Sequence, residues 1–348
     1  MNPTSYTRSA MLPLGVVTLL LCVACCTWIE YVFWARKHVA NMDMLLAASD
    51  GVLSGTPHWR AFQNRLLGPY LLDLFRNVSQ NPYNEFAKIF LMLENFALCG
   101  CAYLLTRKVS LTVLALVSSS VLWVCCIHYF SYPWDFIESV TLTMLFLFAV
   151  RSAGILPFVI LFVIFVLNRE SCIFIGLFLI LRGVSPIVFG QRIAVRPLTW
   201  GTGLVVASIA ITEVLRKVLF KASMLAGVGT DTLHEKFENH FHHLDNGTVL
   251  LTGNKFAILY AMIIVVFLAC TYVGYREKAK NLLAIGITMT LYTLSIFVFG
   301  ILEEVRLYQP FTGILALTAI YLLFETTSGR KWRSANMSFL ARRGWIRT

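Results

Sequence analysis

The residues best suited to chemistry in this sequence are a few acids and arginines set between long apolar runs. Asp43 and Asp50 are spaced by about two helical turns, which puts both carboxylates on one helix face about 10 Å apart. A helix over 42–53 at a membrane surface either holds a catalytic carboxylate or turns its acids to water. Arg65 opens a second amphipathic stretch at 65–75. Asp135 and Glu138 stand one turn apart at the head of an apolar run, where acids either cap a helix or line a polar cavity. Asn168-Arg169-Glu170 interrupts the otherwise apolar stretch 154–183. Charges at that depth are costly unless they pair at a helix break or are solvated by a cavity. In the second case Arg169 binds phosphate and Glu170 orients it. Glu304 and Arg306 occupy a short turn between two apolar runs. Arginine can give two parallel hydrogen bonds to phosphate oxygens, and Glu304 can hold it in place.

The elements that must position these residues follow from composition. The 348 residues are 58% hydrophobic and 14% charged. Soluble domains average about 45–50% apolar and about 25% charged. A soluble enzyme, a disordered chain, a collagen-like repeat and a small disulfide scaffold are thereby excluded. About 20 apolar residues cross a bilayer. Runs of that kind cover 11–35, 84–106, 109–130, 134–150, 198–220, 255–275, 281–300 and 307–325. The first lacks the short core and cleavage site of a signal peptide. The stretch 154–183 reads as two short spans or one long helix. Taken as two, it gives an all-α polytopic bundle of about ten spans with an amphipathic first outer loop. Residues 1–327 form a single transmembrane domain with outer loops at 36–83 and 221–254, followed by a basic tail at 328–348.

The net charge of +11 tests this layout. With both termini cytoplasmic, the inner segments hold sixteen of the 29 Lys and Arg residues and only Glu277 and Glu325 among the acids. This is the basic bias of cytoplasmic loops. Nucleic acid is therefore not the implied partner. The tail, with Trp332, Phe339 and Trp345 among its arginines, suits anionic membrane lipids.

Other chemistries lack their motifs. No P-loop, G-x-G-x-x-G or G-x-S-x-G is present. The loop with His234, Glu235, His240, His242 and His243 lacks the spacing of a zinc helix and reads as solvated rather than metal-binding. Asn77-Val78-Ser79 and Asn246-Gly247-Thr248 fit the N-glycosylation triplet. All nine cysteines lie in apolar runs, so no disulfide framework is legible.

The layout resembles polytopic glycosyltransferases of the GT-C type, in particular poorly characterised bacterial members. Asp43 with Ala47 and Gly51 is similar to their D-x-x-x-A-x-x-x-G-like helix after the first span. Asn64-Arg65-Leu66-Leu67-Gly68-Pro69-Tyr70-Leu71 resembles an R-x-L-x-P-x-L segment. Asn168-Arg169-Glu170-Ser171 and Glu304-Val305-Arg306, with Pro310 beyond, look like further landmarks. The pair of adjacent acids common in the first loop is absent here, since Met42 and Met44 flank Asp43. The resemblance implies an inner-membrane enzyme with an extracytoplasmic active site. It would move a sugar from a polyprenyl-phosphate donor to a glycan or lipid-linked acceptor. It implies Asp43 as general base and Arg306, supported by Arg169 or Arg65, on the phosphate. Asp50, Asp135, Glu170 and Glu304 would line the substrate site. A divalent cation, Mg or Mn, could bridge Asp43 and phosphate. The rival readings are a transporter or flippase for a lipid-linked sugar or other anion, a polysaccharide polymerase, and a non-catalytic scaffold.

Overall fold

A computed structural model describes residues 4–38, 42–55, 66–79, 81–127, 132, 135–219, 242–252, 255–300, 302 and 307–326. Those residues form thirteen α-helices and no strands. They are α1 Thr4–His38, α2 Met42–Leu53, α3 Leu67–Arg76, α4 Pro82–Thr106, α5 Val109–Cys125, α6 Asp135–Val150 and α7 Ile155–Val166. After these come α8 Ile173–Val184, α9 Val195–Leu219, α10 His243–Leu251, α11 Lys255–Arg276, α12 Lys280–Phe299 and α13 Thr312–Ile320.

Six segments are long and apolar enough to cross a membrane: Leu14–His38, Pro82–Thr106, Glu170–Phe189, Val195–Leu215, Lys255–Arg276 and Lys280–Phe299. Val109–Cys125, Ile155–Val166 and Gln309–Glu325 are apolar but shorter. Large side chains such as Leu21, Trp28, Val206, Ile209 and Val265 point outward. Apolar exposure on this scale suits lipid, not water. The chain is therefore an integral membrane protein.

Contacts between turns define two ends. At one, Arg151 donates to the Leu104 carbonyl, Asn281 Nδ2 donates to Ser152 Oγ at 2.9 Å, and Arg182 donates to the Ala153 carbonyl at 2.7 Å. The turns after α4, α6 and α11 meet there, and they carry Arg107, Lys108, Arg151, Arg276, Lys278 and Lys280. At the other end, Leu66 and Leu67 N–H groups both donate to the Leu167 carbonyl at 2.9 Å. Asn246 clamps α10 to the end of α12: its amide donates to the Phe297 and Gly300 carbonyls and accepts from Leu302 N–H. Asn246 is buried, so the glycosylation triplet read there has no accessible acceptor, whereas Asn77 is exposed.

The stretch 154–183 resolves into two short helices, α7 and α8, with a 3-10 turn at Glu170–Cys172 between them. The expected helices at 42–53 and 65–75 are α2 and α3. Two clusters of buried side chains hold the bundle. The larger joins α4–α8 with α11–α13. The smaller is aromatic and gathers Trp34, Tyr83, Phe86, Trp123, Tyr132 and Phe136 at the end where α2 and α3 lie.

Small residues let neighbouring helices approach closely, as interfaces in lipid require. On α9, a Cβ at Gly201 would lie 2.6 Å from Ile180 N, whereas one at Gly203 would meet nothing within 4 Å. Gly201→Ala should therefore lower stability by about 1–3 kcal/mol through overpacking. Gly203→Ala should be neutral or stabilise by up to about 1 kcal/mol through helix propensity. Thermal unfolding in detergent checks the contrast, and equal effects at the two positions would refute the tight α8–α9 contact.

Candidate functional site

The break between α7 and α8 creates the most unusual chemistry in the described chain. α7 ends where Asn168 and Arg169 N–H groups turn back to the Phe165 carbonyl, and Arg169 is then extended, with φ −158° and ψ 152°. This aims its side chain at the head of α6. There Arg169 Nη2 meets Asp135 Oδ1 at 2.5 Å, and Nη1 meets Glu138 Oε2. Both carboxylate side chains are fully buried, and the Arg169 side chain is 11% exposed. Asp135 and Glu138 reach it together because i and i+3 share a helix face. Asp135 also accepts from Tyr132 N–H at 3.2 Å, so it serves the helix start as well as the ion pair.

Further groups complete the cluster. Glu138 Oε1 accepts from Ser171 Oγ at 2.8 Å and from the Tyr292 hydroxyl on α12. Tyr292 is wedged between Phe174, stacked at 4.4 Å, and Phe311 at 5.0 Å. Gln309 lies in the 3-10 turn that packs on α6; it is buried, and neither amide atom has a hydrogen-bond partner among the described residues. The cluster thus joins α6, the α7–α8 break and α12. Leu66 and Leu67, bonded to Leu167, tie the start of α3 to the same break.

The aromatic cluster adjoins this site through Phe136 and Tyr132. Trp34 stacks on His38 at 4.6 Å and on Tyr83 at 5.5 Å. Tyr83 and Tyr132 belong to the same buried cluster. Trp34 Nε1, the Tyr83 hydroxyl and Trp123 Nε1 are buried and find no acceptor among the described residues. Buried donors of this kind are costly when unpartnered.

A second string of acids runs deeper into the bundle. Glu94 on α4 accepts from Ser139, the neighbour of Glu138. Glu30 on α1 accepts from Ser120 on α5 and from Asn95 Nδ2 at 2.5 Å. Glu30 and Glu94 are both buried, and neither pairs with a cation among the described residues.

The expected site residues separate into three groups. Arg169 and Asp135 come together. Asp43, Asp50 and Glu170 are exposed and do not join them: Asp43 sits in the first turn of α2, and Asp50 is paired with Arg76 of α3. Arg65, Glu304 and Arg306, and most of the His-rich loop, lie outside the described residues. The carboxylates on Arg169 are Asp135 and Glu138, not the adjacent Glu170. The geometry also changes what Arg169 can do. Two carboxylates occupy both terminal nitrogens, and the triad carries a net formal charge of −1, so a phosphate there would meet repulsion. Arg169 holds Asp135 and Glu138 in place through its two terminal nitrogens.

Glu138 is legible in the sequence as a possible cavity acid. Glu30 and Glu94 are legible too, as ionisable residues inside apolar runs. Tyr292, Ser171 and Gln309 carry no local signal. Among the described residues no group of three or more His, Cys, Asp or Glu side chains could hold a metal ion, and Asp43 gathers no companion ligand.

No protein-family model, curated protein or solved structure matches the chain.

Removing one side of a buried ion pair leaves an uncompensated charge and costs about 3–5 kcal/mol. Arg169→Met should therefore destabilise by that amount in detergent unfolding. Adding Asp135→Asn and Glu138→Gln to the same chain should recover most of the loss. No recovery would mean that the orphaned carboxylates are not its cause.

Proposed function

We propose that this chain is a GT-C-type membrane glycosyltransferase of ten spans, with both termini cytoplasmic and its site on the outer face. It moves a sugar from a polyprenyl-phosphate donor to a glycan or lipid-linked acceptor. The observation that carries the reading is the buried Asp135–Glu138–Arg169–Tyr292 cluster at a helix break, adjoined by the buried aromatic cluster. It lies at the end opposite the basic turns, which basic bias assigns to the cytoplasm.

Each part has a use in sugar transfer. The triad and the buried side chains of Trp34, Tyr83 and Trp123 make a rigid scaffold at this end of the bundle. An apolar groove of about 330 Å³ between α1 and α4, with Lys88 and Tyr31 at one end, suits a lipid chain. In the reaction, the acceptor hydroxyl oxygen attacks the anomeric carbon and its proton passes to Asp43. The bond from that carbon to the phosphate oxygen breaks, and its electron pair leaves with the phosphate. Arg306 and Arg65 supply positive charge to the leaving phosphate, since Arg169 is already engaged.

A second reading rests on Glu30 and Glu94. Carboxylates buried at membrane depth also mark the paths of transporters, and their neighbours Ser120, Asn95 and Ser139 link α1, α4, α5 and α6. A transporter would move substrate across liposomes without forming a glycosylated product.

Asp43→Asn should reduce transfer in proteoliposomes about 10²–10⁴-fold, the usual worth of a general base. Full transfer by that variant would end the base assignment. Arg306→Ala should chiefly weaken use of the donor, seen as a raised KM for the lipid-linked sugar. An unchanged donor KM would remove Arg306 from the phosphate.

A further inference from the structure

The end of the bundle opposite the triad holds a second cavity, of about 480 Å³. Its polar lining comes from three places: Ser152 after α6, Arg182 on α8, and Lys278, Lys280 and Asn281 where α11 turns into α12. Tyr321, beyond α13, closes one side. We propose that this pocket binds the phosphate of an anionic ligand, either a phospholipid headgroup or a free phosphate.

Three cations converge here without acids to match them. Neither lysine forms an ion pair among the described residues, and the acids nearest in sequence, Glu277 and Glu325, do not line the cavity. Arg182 is held by the Ala153 carbonyl at 2.7 Å and lies 5.6 Å from the centre of the Phe158 ring. Both contacts fix the guanidinium and leave its charge uncancelled. α12 begins at Lys280 with no side-chain cap, so its first N–H groups and positive dipole end add to the field.

The rim is built to hold that geometry. Ser152 and Lys278 both adopt left-handed backbone, with φ 55° and 54°. Non-glycine residues rarely take it. Asn281 Nδ2 bridges to Ser152 Oγ at 2.9 Å and locks the α6–α7 turn to the start of α12. Val150, Pro186, Pro197 and Leu282 give the cavity an apolar wall, as an interhelical site at a bilayer surface requires for the glycerol end of a lipid. Basic pockets between spans are known places for anionic headgroups. This inference does not depend on the transfer reaction or on the residues proposed for it.

The test uses the purified full chain in nanodiscs of phosphatidylcholine, with phosphatidylglycerol added in one arm and inorganic phosphate in another. Lipid retention is read by native mass spectrometry and stability by the unfolding midpoint. Phosphatidylglycerol should be retained and should raise the midpoint. The double variant Lys278→Gln/Lys280→Gln should weaken retention roughly twenty-five-fold, at about fivefold per charge. Lys278→Arg/Lys280→Arg should keep it, and so should Arg107→Gln/Lys108→Gln, which removes two charges from the same end outside the cavity. If the double variant does not fold, Lys280→Gln alone should give the fivefold loss. A midpoint rise with inorganic phosphate that the lysine variant abolishes assigns the site to a soluble phosphate. Response to neither anion overturns the proposal, as does an equal loss in Arg107→Gln/Lys108→Gln.

Discussion

A guanidinium and two carboxylates cannot be taken out of water separately without a prohibitive cost, and here all three are taken out together. Arg169 sits where a membrane helix is broken, and Asp135 and Glu138 sit one turn apart at the start of another. Their meeting sets the depth of the α7–α8 break against α6. Tyr292 then reaches in from α12, and the turn holding Gln309 closes over α6. The break itself frees the Leu167 carbonyl, which takes the first N–H groups of the α3 segment. One charge cluster therefore registers the pieces that surround it.

The molecule is polar along its long axis in two senses. The turns at one end are basic and held by side chain-to-carbonyl bonds from Arg151 and Arg182. The other end is aromatic, with acids buried beneath it at Asp135, Glu138 and Glu94. The basic rim concentrates positive charge at one end, while carboxylates and indole and phenol groups are buried together at the other. The division keeps Arg182, Lys278 and Lys280 from cancelling the acids, because a bundle separates the two sets.

Periodicity and hydropathy make the long helices, α2, α3 and the break at 168–170 legible in the amino-acid sequence. These depend on neighbours in the chain. The partner of Arg169 is not legible there. Glu170 is adjacent in sequence and is the obvious candidate, but extended backbone at Arg169 turns the side chain toward α6. Asn246 is a similar case: its triplet is a local pattern, but its amide is consumed by carbonyls about fifty residues away. The spacing of Asp43 and Asp50 puts both on one helix, yet that helix leaves both in the open and gives Asp50 to Arg76.

The sequence by itself determined the solvent. With 58% hydrophobic residues in runs of membrane length, the chain has long helices whose apolar faces suit lipid on all sides. It also determined which end is basic, since turn charges need no tertiary contact to exist. Only the tertiary structure decided how the buried charges balance. That outcome depends on distances between segments far apart in sequence, and a shift of a few ångströms separates a neutralised arginine from one open to phosphate.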